Sequence, residues 1–533
     1  LKALLAGEPV SWLMGLNSAS WFSESNELAN NGQRPFRVGG VSPWAMVLAC
    51  EGLVFFAGGA SRRLGVRSRA AGAFPFVVQA AAPTASGEAG RDLGEVWAPI
   101  WGRPMAVAEV TTLFSRGRAE IGGRGALTPS AFAVAIRRRG VDAGITEFRR
   151  FALGRTTSAN TFEPRFEGAV GLAPASSVAP IALERLLGLI ESLPCDRKVG
   201  TRWRYLGLRG PVEAAMLRAT AAPDDPDPAC SLLDAAVAAL DRVDTSKQFR
   251  SRSVTWQALP GTWLGELIQH GLDLETEGRL ALALVSSFPA VRPFAVYRFG
   301  AELRQIKPTF LFHHPETAPA RWVWRPGPLP RALASVIQRY VLDWDKDQKD
   351  GNVKPSPLRI AATPHDLELW LAGHLDESLL ARWLSRFALF DWRGPMAELR
   401  HLSRPPQTAS APSADLCLYG IFHPLFDLRP VYRGSGKKRE DSMPPDGGAR
   451  TPASARRIAS LLRAGDVAGA VEVARSRYAV ARAPLAASEA PWEVADPERL
   501  LASLLFPVSD SDRTRLVGRW LRPQRRTMEG ENA

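Results

Sequence analysis

Two groupings of residues in this chain have the types and spacing to do chemistry. One sets histidines beside carboxylates and the other sets arginines beside aromatic rings. His365-Asp366, followed by His374 and Asp376, offers donors that a metal-dependent phosphohydrolase or nuclease would need. A metal centre requires several such ligands to converge, with an open position for water. Thr363-Pro364 precedes the pair, however, and that order also reads as a helix start, with Thr363 or the Asp366 region as the cap. His313-His314-Pro315-Glu316 supplies two more imidazoles, best read as a turn at a strand end. Gly434-Ser435-Gly436-Lys437 resembles a phosphate loop at a glance. Lys438 stands where that loop needs Ser or Thr, and no apolar strand leads into it. A solvated linker fits better, so neither a catalytic residue nor a metal or other cofactor is expected.

The arginines carry more weight. From Trp101 to Arg155 there are ten basic and four acidic side chains, a local excess of six. Arg116, Arg118, Arg124, Arg137, Arg138 and Arg139 lie in this stretch, and Arg149-Arg150-Phe151 sets a ring beside two guanidinium groups. A base can stack on such a ring while a guanidinium holds the neighbouring phosphate. Lys198, Arg202 and Arg204 show the same interleaving with Trp203 and Tyr205. Arg62 and Arg63 follow a long apolar run, and Lys437 and Lys438 lie in the linker. These sixteen residues, Phe151 among them, are the candidate nucleic-acid contacts. The alternative for each cluster is a solvated face, or arginines paired with acids elsewhere in the chain.

The totals agree with a polyanionic partner. The 533 residues carry 67 Lys and Arg against 54 Asp and Glu, a net +13, with a pI near 10.0. Arginine suits bidentate phosphate contacts, although a GC-rich genome would also favour it. With 46% hydrophobic residues the chain can bury a sizeable core. The four cysteines, Cys50, Cys195, Cys230 and Cys417, show no metal-ligand spacing and suit a reducing compartment. No apolar run reaches the length of a membrane span and no secretory signal is evident, so a cytoplasmic, soluble protein is expected.

The elements that must position these residues follow from periodicity. Val41 to Gly65 reads as a buried helix, with Pro43 in its first turn and Trp44, Val47, Leu48, Leu53, Phe55 and Phe56 inward. Phe74 to Val78 reads as a short strand, and Glu95 to Trp101 as a short aromatic strand or an extended turn. Val107 to Arg118 and Pro129 to Arg139 read as helices, the second stopped by Gly140. Thr156 to Ala179 reads as short extended pieces and turns. Ile181 to Leu193, Cys230 to Val243, Leu329 to Leu342, His365 to Leu371 and Glu377 to Leu389 have helical spacing. Thr262 to His270 and Arg279 to Ser286 fit either helix or strand. Phe294 to Phe299 and Ile306 to His314 alternate like strands. Asp345 to Asp350 reads as a charged loop, and Leu416 to Phe426 as a buried apolar segment. The expected fold is α+β, mixed but mostly helical, with a C-terminal helical bundle. Its expected parts are an N-terminal α+β region with a basic surface (1–155), a central mixed α/β region (156–345), a helical region (346–432), a linker (433–452) and the bundle (453–533).

The order of several segments resembles a known family. PWAMVLACEGLVFFAG (Pro43 to Gly58), FPF (Phe74 to Phe76), EVWAPIWGRP (Glu95 to Pro104) and SRGRAEIG (Ser115 to Gly122) are similar to the large subunit of the type I-G (formerly I-U) CRISPR surveillance complex, Cascade. GVDAGITEFRRFALGR (Gly140 to Arg155), LCLYGIFHPLF (Leu416 to Phe426), RIASLLRAGDVAGAVEVA (Arg457 to Ala474) and LLASLLFPV (Leu500 to Val508) continue the likeness in order. The chain departs from the family at Ser42-Pro43-Trp44-Ala45, where Asn-Pro-Trp-Asp is expected. It also departs before that motif, where an Asn- and Gly-rich stretch is short. Residues missing ahead of Leu1 would explain that shortening.

The resemblance implies a large-subunit architecture and a non-catalytic role at the guide-RNA handle. The implied tasks are to help recognise the protospacer-adjacent motif, open double-stranded target DNA and recruit the helicase-nuclease. Implied partners are the CRISPR guide RNA, the target duplex and its displaced strand, and the backbone and handle-binding Cascade subunits, with no membrane. Two other readings stand beside this one: a metal-dependent nuclease using His365-Asp366, and a protein-only scaffold.

Overall fold

The computed structural model describes residues 14–15, 40–41, 44, 47–48, 50–52, 77–78, 92–116, 120–121, 124–126, 128–139, 145–155, 162–171, 178–194, 202–245, 254–289, 292–305, 309–315, 323–349, 358–394, 399, 413–427, 431–432, 442–443, 451–480, 485 and 494–520. The fold is α+β and mostly helical, with small sheets. It divides into two units, Leu1–Ala239 and Leu240–Ala533.

The first unit is built on a four-stranded antiparallel meander. Its strands are β1 (Val77–Val78), β2 (Asp92–Trp101), β3 (Ile145–Arg155) and β4 (Phe162–Gly171), in that order. Helix α1 (Val107–Arg116) and helix α2 (Pro129–Arg139) lie between β2 and β3 in sequence. Helices α3 (Ala179–Ser192), α4 (Arg202–Ala221) and α5 (Pro226–Thr245) follow β4. Strand β2 is laid down by alternation. Glu95, Trp97 and Pro99 are buried, while Val96, Ala98 and Ile100 are half-exposed. Pro99 stands opposite Phe148 of β3.

The sheet's inner face is closed by α2. Trp97, Phe148 and Val170 meet Phe132, Ala133 and Ile136 there. The Trp97 and Phe132 rings lie 4.9 Å apart, and Phe132 meets Phe148 edge-on at 5.7 Å. Such pairs add to the area they bury. Pro129 opens α2 without wasting a donor, and Thr128 Oγ1 accepts from Ala131 N at 3.2 Å.

In the second unit, β5 (Thr255–Gln257) leads to β6 (Leu259–Pro260), α6 (Gly261–Gln269), α7 (Thr276–Ser286) and α8 (Phe294–Arg298). Strands β7 (Glu302–Gln305) and β8 (Leu311–His313) complete a small antiparallel sheet in the order β7-β8-β5. Then come α9 (Leu329–Lys349), α10 (Pro364–Leu371), α11 (Glu377–Phe387) and β9 (Phe390–Asp391), which pairs parallel to β6. Helices α12 (Ala414–Phe426), α13 (Pro452–Arg463), α14 (Val467–Val480), α15 (Pro497–Ser503) and α16 (Asp510–Gly518) end the described chain.

The C-terminal helices join the elements before them. Arg456 pairs with Asp345 at 3.0 Å, and Arg499 with Glu377 at 2.6 Å. Tyr419 Oη donates to Phe506 O at 2.7 Å, and Tyr478 Oη to Ile421 O at 2.9 Å. Gly420 has to be glycine because α12 and α16 touch there: a Cβ would sit 2.9 Å from Leu516 Cβ and 3.2 Å from its carbonyl carbon.

Several expectations change. Phe294–Arg298 is a helix where a strand was expected; all five residues are buried, so their alternation carried no facing information. Helix α9 runs on through Asp345 to Lys349 where a charged loop was expected. Asp343 accepts from Arg339 one turn earlier, and Asp347 pairs with Arg292. Residues 162–171 form one strand where short pieces and turns were expected. Trp44, Val47 and Leu48 are helical yet exposed, so this apolar stripe is not the buried helix expected.

Candidate nucleic-acid interface

Strand β3 sorts the basic-aromatic run Glu147-Phe148-Arg149-Arg150-Phe151-Ala152 onto two faces, because successive strand side chains point opposite ways. Phe148, Arg150 and Ala152 turn inward and are buried, while Glu147, Arg149 and Phe151 turn outward. Phe151 pairs with Val96 and Arg149 with Ala98 on β2. On β4 their partners are Phe166 and Ala169.

The inward guanidinium is fully engaged. Arg150 Nε donates to Glu95 Oε2 at 3.1 Å, and Nη2 donates to Glu95 Oε1 at 2.9 Å. Trp97 Nε1 adds a donor to Oε2 at 3.2 Å, and Arg150 lies over the Trp97 ring at 5.3 Å. Side-chain exposures of 8% and 2% put this ion pair out of reach of a phosphate. Burial raises the Glu95 carboxyl above its ordinary range, and Arg150 pulls it down by less.

The outward side chains form an open strip. Arg149 Nε donates to Glu147 Oε1 at 2.9 Å, with 55% of the arginine side chain exposed. Phe151 is half-buried and rests on Phe166 at a centroid distance of 5.6 Å. Phe166 is 58% exposed. A bulge sets Phe166 in place. Arg150 pairs with Gly168 and Phe151 with Phe166, so Glu167 is an extra residue in β4. Gly168 takes φ +129° beside it, a conformation that favours glycine.

The other arginine candidates scatter. Arg137 is buried and caps the end of α4: Nε donates to Thr220 O at 2.7 Å and Nη2 to Ala221 O at 2.9 Å. Burial lowers its pKa from the usual arginine value, yet a guanidinium stays charged and satisfies the exposed carbonyls of a helix end. Arg138 is exposed and pairs with Glu184 on α3. Arg116 ends α1, Arg139 ends α2, Arg202 and Arg204 lie in the first turn of α4, and Arg124 sits in a two-residue strand paired with Glu120–Ile121. The side chains of these five lie outside the described residues, as do Arg62, Arg63, Arg118, Lys198, Lys437 and Lys438 altogether. Among the candidates whose side chains are described, the structure brings Arg149 and Phe151 together on an open face. It adds Phe166, which the sequence reading did not single out.

The histidine-carboxylate alternative does not assemble. Asp366 is buried and accepts from Arg279 at 2.9 Å, while His365 is exposed. Thr363 Oγ1 accepts from Asp366 N, the expected cap. Asp376 caps α11 by accepting from Ser378 N and Leu379 N, and His374 is exposed. His314 is buried with Nε2 3.6 Å from Asp244 Oδ1, and Glu316 lies outside the described residues. Among the described residues, no group of three or more His, Cys, Asp or Glu is gathered as metal ligands. The phosphate-loop look-alike at Gly434 also lies outside them. No described helix is long and apolar enough to cross a membrane.

Compared with known proteins, the chain matches no family model and no curated protein sequence.

Proposed function

We propose that this chain is a non-catalytic, nucleic-acid-binding large subunit of an RNA-guided CRISPR surveillance complex of the type I-G kind, working in the cytoplasm. In this reading it sits near the guide-RNA handle among the backbone and handle-binding subunits. It helps to recognise the protospacer-adjacent motif, to open target DNA and to recruit the helicase-nuclease. Guide pairing supplies sequence specificity, while the protein contributes backbone contacts and a short motif, a division of labour known for RNA-guided effectors.

The observation that carries the nucleic-acid part is the open strip of Arg149, Phe151 and Phe166 on the outer sheet face. Its ingredients are those of a base-stacking surface, an exposed ring with a guanidinium alongside. The surrounding excess of arginine supports it, as does the net charge of +13. The family assignment rests on the ordered segments from Pro43 to Val508.

The test is purification of the tagged chain from cells carrying its neighbouring genes, followed by sequencing of bound RNA. The reading expects short RNAs with a constant 5′ handle. Preparations in which the chain assembles with partners yet holds no such RNA would refute it.

A further inference from the structure

We infer that the outer face of the β2-β3-β4 sheet is a stacking platform for two unpaired nucleotides, with one base on Phe166, its neighbour on Phe151, and the intervening phosphate at Arg149. The inference rests on the reading of this chain as a nucleic-acid-binding subunit, and it names the form of nucleic acid that this one face takes.

Three features lead to it. First, Phe166 is held out rather than tucked in. The Glu167-Gly168 bulge spends an extra residue on turning β4 at this point, and the ring it presents stays 58% exposed. A bulge of this kind re-aims a side chain. Second, the two rings lie on adjacent strands, 5.6 Å apart and tilted by 57°, so they offer separate faces to successive bases. Val96 and Ala98 beside them are half-exposed, which keeps the floor low and apolar. Third, Arg149 is anchored through Nε to Glu147 and is 55% exposed. Among the described residues it has no second anionic partner, so its terminal nitrogens remain for a phosphate.

This arrangement selects against a duplex. Bases in a duplex are already stacked and cannot lie flat on the rings of a sheet. One outward guanidinium also supplies far fewer backbone contacts than duplex binding draws on. Unpaired strands offer free base faces, and stacking tolerates any base. The inward Arg150–Glu95 pair serves the platform by fixing β3 to β2 directly beneath it.

The experiment is fluorescence anisotropy with the full chain and three labelled probes of equal length: single-stranded DNA, single-stranded RNA and double-stranded DNA. The expected result is single-strand binding that depends on this face and duplex binding that does not. Phe166→Ala should weaken single-strand binding about 5- to 150-fold, the range for loss of one base–aromatic stack, and leave duplex binding unchanged. Phe166→Trp should restore it. Arg149→Ala should reduce the salt dependence of single-strand binding by about 0.7 in the slope of log K against log salt, the share of one phosphate. Phe166 is exposed, so its replacement tests binding without emptying the core. A preference for the DNA strand assigns the face to displaced target, and a preference for RNA assigns it to the guide; either supports the platform. Single-strand binding that survives Phe166→Ala, or duplex binding weakened as much by that change, overturns the platform. If the chain still co-purifies with handle-bearing RNA in that case, the proposed function stands. Failure of both measurements removes both.

Discussion

Arg150 and Glu95 form a bidentate ion pair inside the sheet, 55 positions apart in sequence and neighbours across β2 and β3. The next residue up the chain, Phe151, and the one before, Arg149, face the opposite way. One short run thus supplies both the clamp that holds the sheet and the surface proposed to meet nucleic acid.

Breaking the clamp from one side should be costly. Arg150→Met leaves Glu95 buried without its partner, and the expected loss is about 3–5 kcal/mol. The double variant Arg150→Met with Glu95→Leu should recover much of that, because no uncompensated charge remains. Denaturant unfolding of the four members of this cycle measures the difference. Equal losses for the single and double variants would contradict the account.

Arg137 is a structural residue here, not a phosphate contact. Arg137→Ala removes two charge-assisted hydrogen bonds to the end of α4 and should cost about 2–4 kcal/mol. Reversing Arg137, Arg138 and Arg139 together would therefore lower stability as well as charge. Arg138→Ala alone breaks only an exposed pair and should change stability by under about 1 kcal/mol. Thermal unfolding of the two single variants separates these outcomes.

Gly420→Ala should destabilise the second unit by about 1–3 kcal/mol, since its Cβ would press on Leu516 where α12 and α16 touch. Adding Leu516→Ala should not relieve this, because alanine keeps the Cβ and the carbonyl that the new methyl meets. Unfolding of the single and double variants reads it, and a neutral Gly420→Ala would show that the helices can part without cost.

The non-catalytic reading predicts no cleavage of DNA or RNA by the purified chain with Mg²⁺, Mn²⁺ or Zn²⁺. Cleavage that needs metal and disappears in His365→Ala would establish the nuclease alternative instead. Asp366→Asn is a poor probe of it, because Asp366 holds Arg279 and its loss would disturb packing.

Much of the fold could be read from residue order. Pro129 followed by an apolar run located α2, and the aromatic run from Glu95 to Trp101 marked most of β2 as a strand or an extended turn. Strand β4 was less legible because Pro164 and the Glu167-Gly168 bulge interrupt its alternation. Helix α8 was misleading because a fully buried segment has no preferred face. The candidate site was half legible. Arg149-Arg150-Phe151 stood out by composition, but which arginine faces water depends on strand parity, and parity required the register with β2. Phe166 had no local signal, since its exposure comes from a bulge defined by pairing with β3. Glu95 looked like an ordinary strand residue until the fold brought Arg150 to it.

Ultraviolet cross-linking of the assembled complex to its nucleic acid, with mass spectrometry of the attached peptides, tests the central claim most directly. The account predicts nucleotide adducts on the segment from Ile145 to Gly171, concentrated at Phe151 and Phe166. Adducts confined to other segments, with this one fully recovered and unmodified, would contradict it.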